Sequence, residues 1–176
     1  MSCRFILTAF GKDRPGIVAD VTRVLYENDC NLEENSMTLL ADEFTLILLF
    51  SATDQRIEER LLSECRRLEK DRGISAFIRV LGERRVTPGA GAQDYIVEVE
   101  GLDQSGIVFR VSQHLADLGL NILDLKSQVK SSPESGTALY QMQVHIQAPP
   151  GMTAEQIETS LAPVADELHV DISVTG

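Results

Sequence analysis

Residues 138–147, ALYQMQVHIQ, alternate without a break. Tyr140, Met142, Val144 and Ile146 fall on one side, and Gln141, Gln143, His145 and Gln147 on the other. A period of two is the side-chain period of a strand. The split in polarity predicts a sheet that buries one face and leaves the other wet, or polar against a partner. Two short apolar runs, RFILTAF (4–10) and FTLILLFSA (44–52), are rich in strand formers; the second is so continuously apolar that it reads as a buried central strand. Further strands are expected over 31–40, 75–81, 95–100, 121–130 and 170–174.

Elsewhere the period lengthens. Ile17, Val18, Val21, Val24 and Leu25 make one helical face, ended by Asn28 and Asp29. Ile57, Leu61, Leu62, Cys65 and Leu68 make another over 57–70, with Gly73 in C-terminal capping position. A third helix is expected over 105–118, stopped by Gly119. A fourth starts at the capping box Thr153 and Gln156, and Pro163 should kink or break it near Ala162. Asp13 reads as the N-cap of the first helix, with Pro15 in its first turn.

The order is strand, helix, strand, strand, helix, strand, and it occurs twice. GKDRPGIVADVTRVL (11–25) returns as GLDQSGIVFRVSQHL (101–115). Gly11, Asp13, Gly16, Ile17, Val18, Val21 and Leu25 return at a fixed offset as Gly101, Asp103, Gly106, Ile107, Val108, Val111 and Leu115, and Asn31 as Asn121. A domain-sized period with two copies is a duplicated domain. The fold class is therefore α+β, two tandem ferredoxin-like βαββαβ units of antiparallel sheet with both helices on one face. The expected boundaries are 1–81 and 94–176, joined by a Gly- and Pro-bearing linker, 82–93.

Composition narrows the function. The chain has 176 residues and a net charge of −11, which opposes direct nucleic-acid binding. Aromatics are 5%, too few for an RNA-recognition sheet, although the strand order is shared. No apolar stretch approaches the ~20 residues that span a bilayer, and the first residues do not read as a signal peptide. Cys3, Cys30 and Cys65 have neither disulfide nor zinc spacing, so reduced thiols in a cytoplasmic protein are expected. His114, His145 and His169 share no ligand spacing, so no metal is expected. The charged run from Arg56 to Arg72 reads as the solvated face of a helix.

The repeated turn is the candidate for chemistry. A strand that turns through Gly-x-Asp-x-x-Gly into a helix presents unpartnered N–H groups and the positive end of the helix dipole, an anion site. Gly16 and Gly106 would let a ligand approach the backbone, and Asp13 and Asp103 either cap the helix or accept from an ammonium. Such a set suits an α-amino acid, but on spacing alone a tight helix entrance with no ligand explains it better. Asn31 and Asn121 lie at the far end of the first helix in this topology, so either reaches a ligand only across an interface with a paired domain.

GKDRPGIVADVTRVLYENDCNLEE and GLDQSGIVFRVSQHLADLGLNILDLKSQ each resemble the opening of an ACT domain, a small-molecule-sensing regulatory module. The resemblance covers nearly the whole chain apart from the linker. It implies a non-catalytic regulator that binds a small amino acid, glycine among the candidates, and acts on a partner protein in the transcriptional control of amino-acid metabolism. It implies ligand contacts from Asp13, Arg14, Pro15, Gly16, Ile17 and Asn31, and from Asp103, Gln104, Ser105, Gly106, Ile107 and Asn121. Gln104 and Ser105 stand where the first turn has Arg14 and Pro15, so one turn would sense and the other support. The protein partner would be a DNA-binding activator or, in a second reading, an enzyme regulated in trans. ACT domains commonly pair, so either a homodimer forms or the chain supplies both halves of one pair. No cofactor is implied.

An enzyme is the remaining class. The fold also serves acylphosphatases, and GIVFR (106–110) is similar to their phosphate loop. Arg110, however, falls inside the expected helix, and Asp20 holds the matching place in the first half. Ser105 has no identifiable His and Asp partners for nucleophilic catalysis.

Overall fold

A computed structural model of the chain describes residues 3–54, 56–82, 91–131 and 136–176. It divides into two compact units, Met1–Arg85 and Val86–Gly176. Residues 83–90 of the expected linker lie outside the described residues, and Gln93 already belongs to a strand.

The first unit runs β1 (Cys3–Lys12), α1 (Ile17–Glu27), β2 (Asn31–Leu40), β3 (Glu43–Ala52), α2 (Ile57–Arg72) and β4 (Ser75–Leu81). Its sheet has the order β2-β3-β1-β4, with all pairs antiparallel. Phe5, Leu7 and Ala9 of β1 and Phe44, Leu46, Leu48 and Phe50 of β3 bury one sheet face against Ile17, Val21, Val24 and Leu25 of α1 and Ile57, Leu61, Cys65 and Leu68 of α2. Each fully buried side chain of this size contributes about 1.5–3 kcal/mol of transfer free energy. Acidic Glu58 and Glu59 in the first turn of α2, with Lys70 and Arg72 in its last, complement the helix dipole.

The second unit repeats the order as β5 (Gln93–Leu102), α3 (Ile107–Asp117), β6 (Asn121–Ser131), β7 (Ala138–Ala148), α4 (Ala154–Leu168) and β8 (Val170–Thr175). Its sheet order is β6-β7-β5-β8. Tyr140, Met142, Val144 and Ile146 are buried, as their alternation predicts.

Three local expectations are corrected. Helices α1 and α3 start at Ile17 and Ile107, so Pro15 and Ser105 precede them. Their N-cap residues are Gly16 and Gly106, at φ +86° and +97°, and no side chain among the described residues caps either helix. Asp13 and Asp103 are therefore not caps; the chain enters each helix through a left-handed residue, a conformation that favours glycine. Helix α4 is not broken at Pro163. The carbonyl freed by the missing N–H is that of Thr159, an exposed residue on the solvent side of the helix. Finally, β3 is central but buried on one face only: Ile47 on the other face is 42% exposed.

Candidate ligand site

The repeat's two glycines answer to different constraints. A Cβ on Gly101 would lie 2.7 Å from a methyl of Val170 and 3.2 Å from its Cα, so the first glycine of this copy lets β5 and β8 approach closely. Gly16 and Gly106 face open space and are needed for their positive φ. In α1 the first helical bond runs from the Asp20 N–H to the Gly16 carbonyl at 2.9 Å, and the Ile17 N–H reaches the Arg14 carbonyl at 3.3 Å. The N–H groups of Val18 and Ala19 in the first turn then have no acceptor within the helix. In α3 the equivalent first bond is Arg110 to Gly106, also 2.9 Å. Each turn is anchored from behind: the Asp13 N–H donates to the Asp42 carbonyl at 2.9 Å, and that of Asp103 to Ala138 at 3.3 Å.

Of the residues expected at the first site, Asp13, Pro15 and Gly16 are exposed and Arg14 is half-buried. Ile17 is 3% exposed and packs into the core, which leaves only its backbone to a ligand. Asp103, Gln104, Ser105 and Gly106 are exposed, while Ile107 is buried. The structure does not bring Asn31 to the first turn of its own unit. Asn31 pairs with Ser51, and Ser51 with Arg4, whereas the turn follows Lys12. Eight residues of strand separate the two ends, about 26 Å. Asn121, paired with Gln147, has the same place in the second unit.

Electrostatics separates the turns. The Arg14 guanidinium donates to an Asp20 carboxylate oxygen at 2.7 Å, and to the Pro15 carbonyl at 3.4 Å. That hydrogen bond from Arg14 holds the Asp20 carboxyl below its usual range. Asp20 sits in a groove of about 210 Å³ between α1 and α2 that Arg23, Glu64, Arg67 and Arg72 also line. In the second unit the charges are exchanged. Arg110 stands at the place of Asp20 and pairs with Glu167 of α4, while Gln104 stands at the place of Arg14 and donates to the Leu168 carbonyl. Gln104 and Arg110 are thus both tied to the end of α4. Arg110 is helical and ion-paired, unlike a loop arginine that cradles phosphate.

One repeated feature has no sequence signal. Register shifts by one residue between Leu32 and Glu34 and between Ile122 and Asp124, placing a β-bulge just after each Asn. In the first unit the bulged Glu33 accepts from Arg4 Nε at 2.9 Å, and hydrogen bonds from Ser51 and then Arg4 lower its carboxyl. Bulges re-aim side chains at strand ends and beside sites. No group of three or more His, Cys, Asp or Glu that could hold a metal occurs among the described residues.

Fold order, glycine-entered helices and duplication define the class: the chain belongs to the ACT-domain proteins. The ACT domain family model matches residues 4–79. The chain is 27% identical over 172 residues to the glycine cleavage system transcriptional repressor of Escherichia coli, covering 96% of this chain and 87% of the relative. It is 31% identical over 77 residues to the UPF0237 protein MK1213 of Methanopyrus kandleri, covering 43% of this chain and 86% of that one. The crystal structure of an unknown protein from Galdieria sulphuraria superposes with a TM-score of 0.78 at 29% identity, covering 99% of this chain and 98% of that one. No helix among the described residues is long and apolar enough to cross a membrane.

Proposed function

We propose that the chain is a non-catalytic cytoplasmic regulator that binds a small amino acid at the first turn and transmits the binding to a protein partner. The observation that carries this reading is the entrance to α1, where a left-handed glycine and an uncapped first turn lie beside the half-exposed guanidinium of Arg14. A ligand carboxylate would meet the N–H groups of Val18 and Ala19 at the positive helix end, with Arg14 released from Asp20 as a second partner. Asp13, exposed and free of capping duty, would accept from the ligand ammonium. Asn31 would complete a site only on a neighbouring domain, and the same holds for Asn121. The second turn, with Gln104 and Arg110 committed to α4, supports rather than senses.

Glycine is the first candidate, because the E. coli relative's name ties that protein to glycine cleavage. The same name supports transcriptional control, with the acidic chain meeting a basic DNA-binding protein rather than DNA. To shift a partner, the ligand must bind one arrangement of the protein better than another. A thermal-shift screen against the twenty amino acids at millimolar concentration tests the reading. A ligand present at about 100 Kd adds about 2.7 kcal/mol to stability and raises Tm. One or two small amino acids should shift the wild type, and Arg14→Ala should lose the shift. No shift with any amino acid sinks the ligand claim, and an unchanged shift in Arg14→Ala sinks its placement.

A further inference from the structure

The two units place opposite charges at the same junction between their helices. Ile57, Leu61 and Leu68 of α2 fill the core positions that Ile157, Leu161 and Leu168 of α4 fill in the second unit. This sets Arg67 at the place of Glu167, and α2 runs on past Leu68 to Arg72. Asp20 of α1 stands where Arg110 stands in α3. In the second unit the Arg110–Glu167 ion pair joins the two helices. The first unit has the same parts with the signs exchanged, an acid on α1 and arginines on α2, yet the pair is not made. Asp20 is held by Arg14 of the turn, and Arg67 pairs within its own helix with Glu64 at 3.0 Å. Arg23 and Arg72 make no ion pair among the described residues.

We propose that Asp20 changes partner when the first turn is occupied, passing from Arg14 to Arg72, so that ligand binding closes between α1 and α2 the kind of ion pair that the second unit already has. The inference rests on the reading of that turn as an amino-acid site, in which the ligand carboxylate takes Arg14. Three observations carry the exchange. The Asp20 side chain is 12% exposed and that of Arg14 38%, so the carboxylate is the enclosed member of the pair and the guanidinium the one with access to solvent. A carboxylate so enclosed is costly without a counter-ion, and the rest of its groove is balanced, with Arg23, Arg67 and Arg72 against Glu27, Glu64 and Asp71. A cation must therefore replace Arg14, and Arg72 is uncommitted. Finally, the hydrogen bond from Arg14 lowers the Asp20 carboxyl most and burial opposes it, but of the charges that act on it through space Arg72 comes first. A ligand that favours one pairing over the other shifts the balance, and the exchange carries the event from the turn to the end of α2. The second turn has no such device: Gln104 has no charge to release, and α3 and α4 are already joined.

Titration calorimetry of the full chain with the twenty amino acids one by one, on wild type, Arg72→Gln, Asp20→Asn and the double variant, tests it. Arg72 is exposed, so Arg72→Gln should keep the circular dichroism of the wild type. It should weaken binding about three- to fivefold, the worth of one partly exposed ion pair, because Asp20 is then stranded in the bound state. Adding Asp20→Asn should restore the affinity, which a direct contact between Arg72 and the amino acid would not allow. A second arm needs no amino acid. In urea unfolding, Asp20→Asn and Arg72→Gln should be nearly additive when made in the wild type and clearly coupled when made in the Arg14→Ala protein. The exchange is overturned by an Arg72→Gln protein that binds as tightly as the wild type, by a loss that Asp20→Asn does not restore, or by a coupling no larger in the Arg14→Ala protein. In each of these cases the wild type still binds and the reading of the turn stands. If none of the twenty binds the wild type, that reading falls, and this inference with it.

Discussion

Replacing Gly101 by alanine tests how closely β5 and β8 approach. The added Cβ would sit 2.7 Å from Val170 Cγ1, 3.1 Å from its Cβ and 3.2 Å from its Cα. The methyl can turn away; the two inner atoms move only with the backbone of β8, whose first residue is Val170. Overpacking of this kind costs about 1–3 kcal/mol, and the lower entropy of the unfolded alanine chain returns about 0.4–1 kcal/mol. A net loss of about 1–2 kcal/mol is expected. Val170→Ala alone removes two methyl groups from a 7%-exposed side chain, about 1.5 kcal/mol at ~0.8 per carbon. The double variant keeps the Cβ and Cα of residue 170, and with them the 3.1 and 3.2 Å contacts, so its loss should stay close to the sum of the two. Urea unfolding followed by tyrosine fluorescence isolates this unit. The chain has three tyrosines and no tryptophan; Tyr140 is 8% exposed and Tyr95 half-buried, whereas Tyr26 of the first unit is 84% exposed. An unchanged midpoint for Gly101→Ala would refute the close approach.

Three further outcomes follow from the same geometry. Thr153→Ala removes a complete capping box and should cost about 1 kcal/mol in urea unfolding, while Asp103→Ala, which caps nothing, should stay within about 0.5 kcal/mol. Asp20 has a folded pKa below its unfolded value because of Arg14, so it stabilises the protein fully above pH ~4 and loses that contribution as pH falls through the folded value. Asp20→Asn should therefore unfold at lower urea than wild type at pH 7, and the gap should close at acid pH. Burial pushes the Cys65 thiol up to about 11, so a thiol reagent at pH 8 should label exposed Cys3 quickly and Cys65 only after unfolding.

Periodicity carried most of the fold. The alternation at 138–147, the helical face from Ile17 to Leu25 and the capping box at Thr153 are local signals, and each element forms where its own residues place it. What stayed illegible depends on contacts between distant segments. Asp13 has the side chain of an N-cap, but its N–H is held by Asp42 from the β2–β3 turn, and Gly16 takes the cap position instead. The run FTLILLFSA reads as buried on both faces because periodicity alone does not say how many layers cover a sheet; in its own unit only the helix side is covered. The bulges at Glu33 and Leu123 leave no compositional trace. At the candidate site the repeat exposed the turn, and Gln104 and Ser105 marked the second copy as different. The exchange of charge between Asp20 and Arg110 is also in the sequence, but its meaning required knowing that α4 ends beside Gln104 and Arg110.

The measurement that bears most directly on the ligand reading is an amide-resolved NMR titration of the isotope-labelled full chain with glycine and then the other small amino acids. The account predicts saturable shifts of Gly16, Ile17, Val18 and Ala19, with Gly106, Ile107, Val108 and Phe109 moving less. Shifts confined to the second turn, or no shift at either turn with any of the twenty amino acids at millimolar concentration, would contradict it.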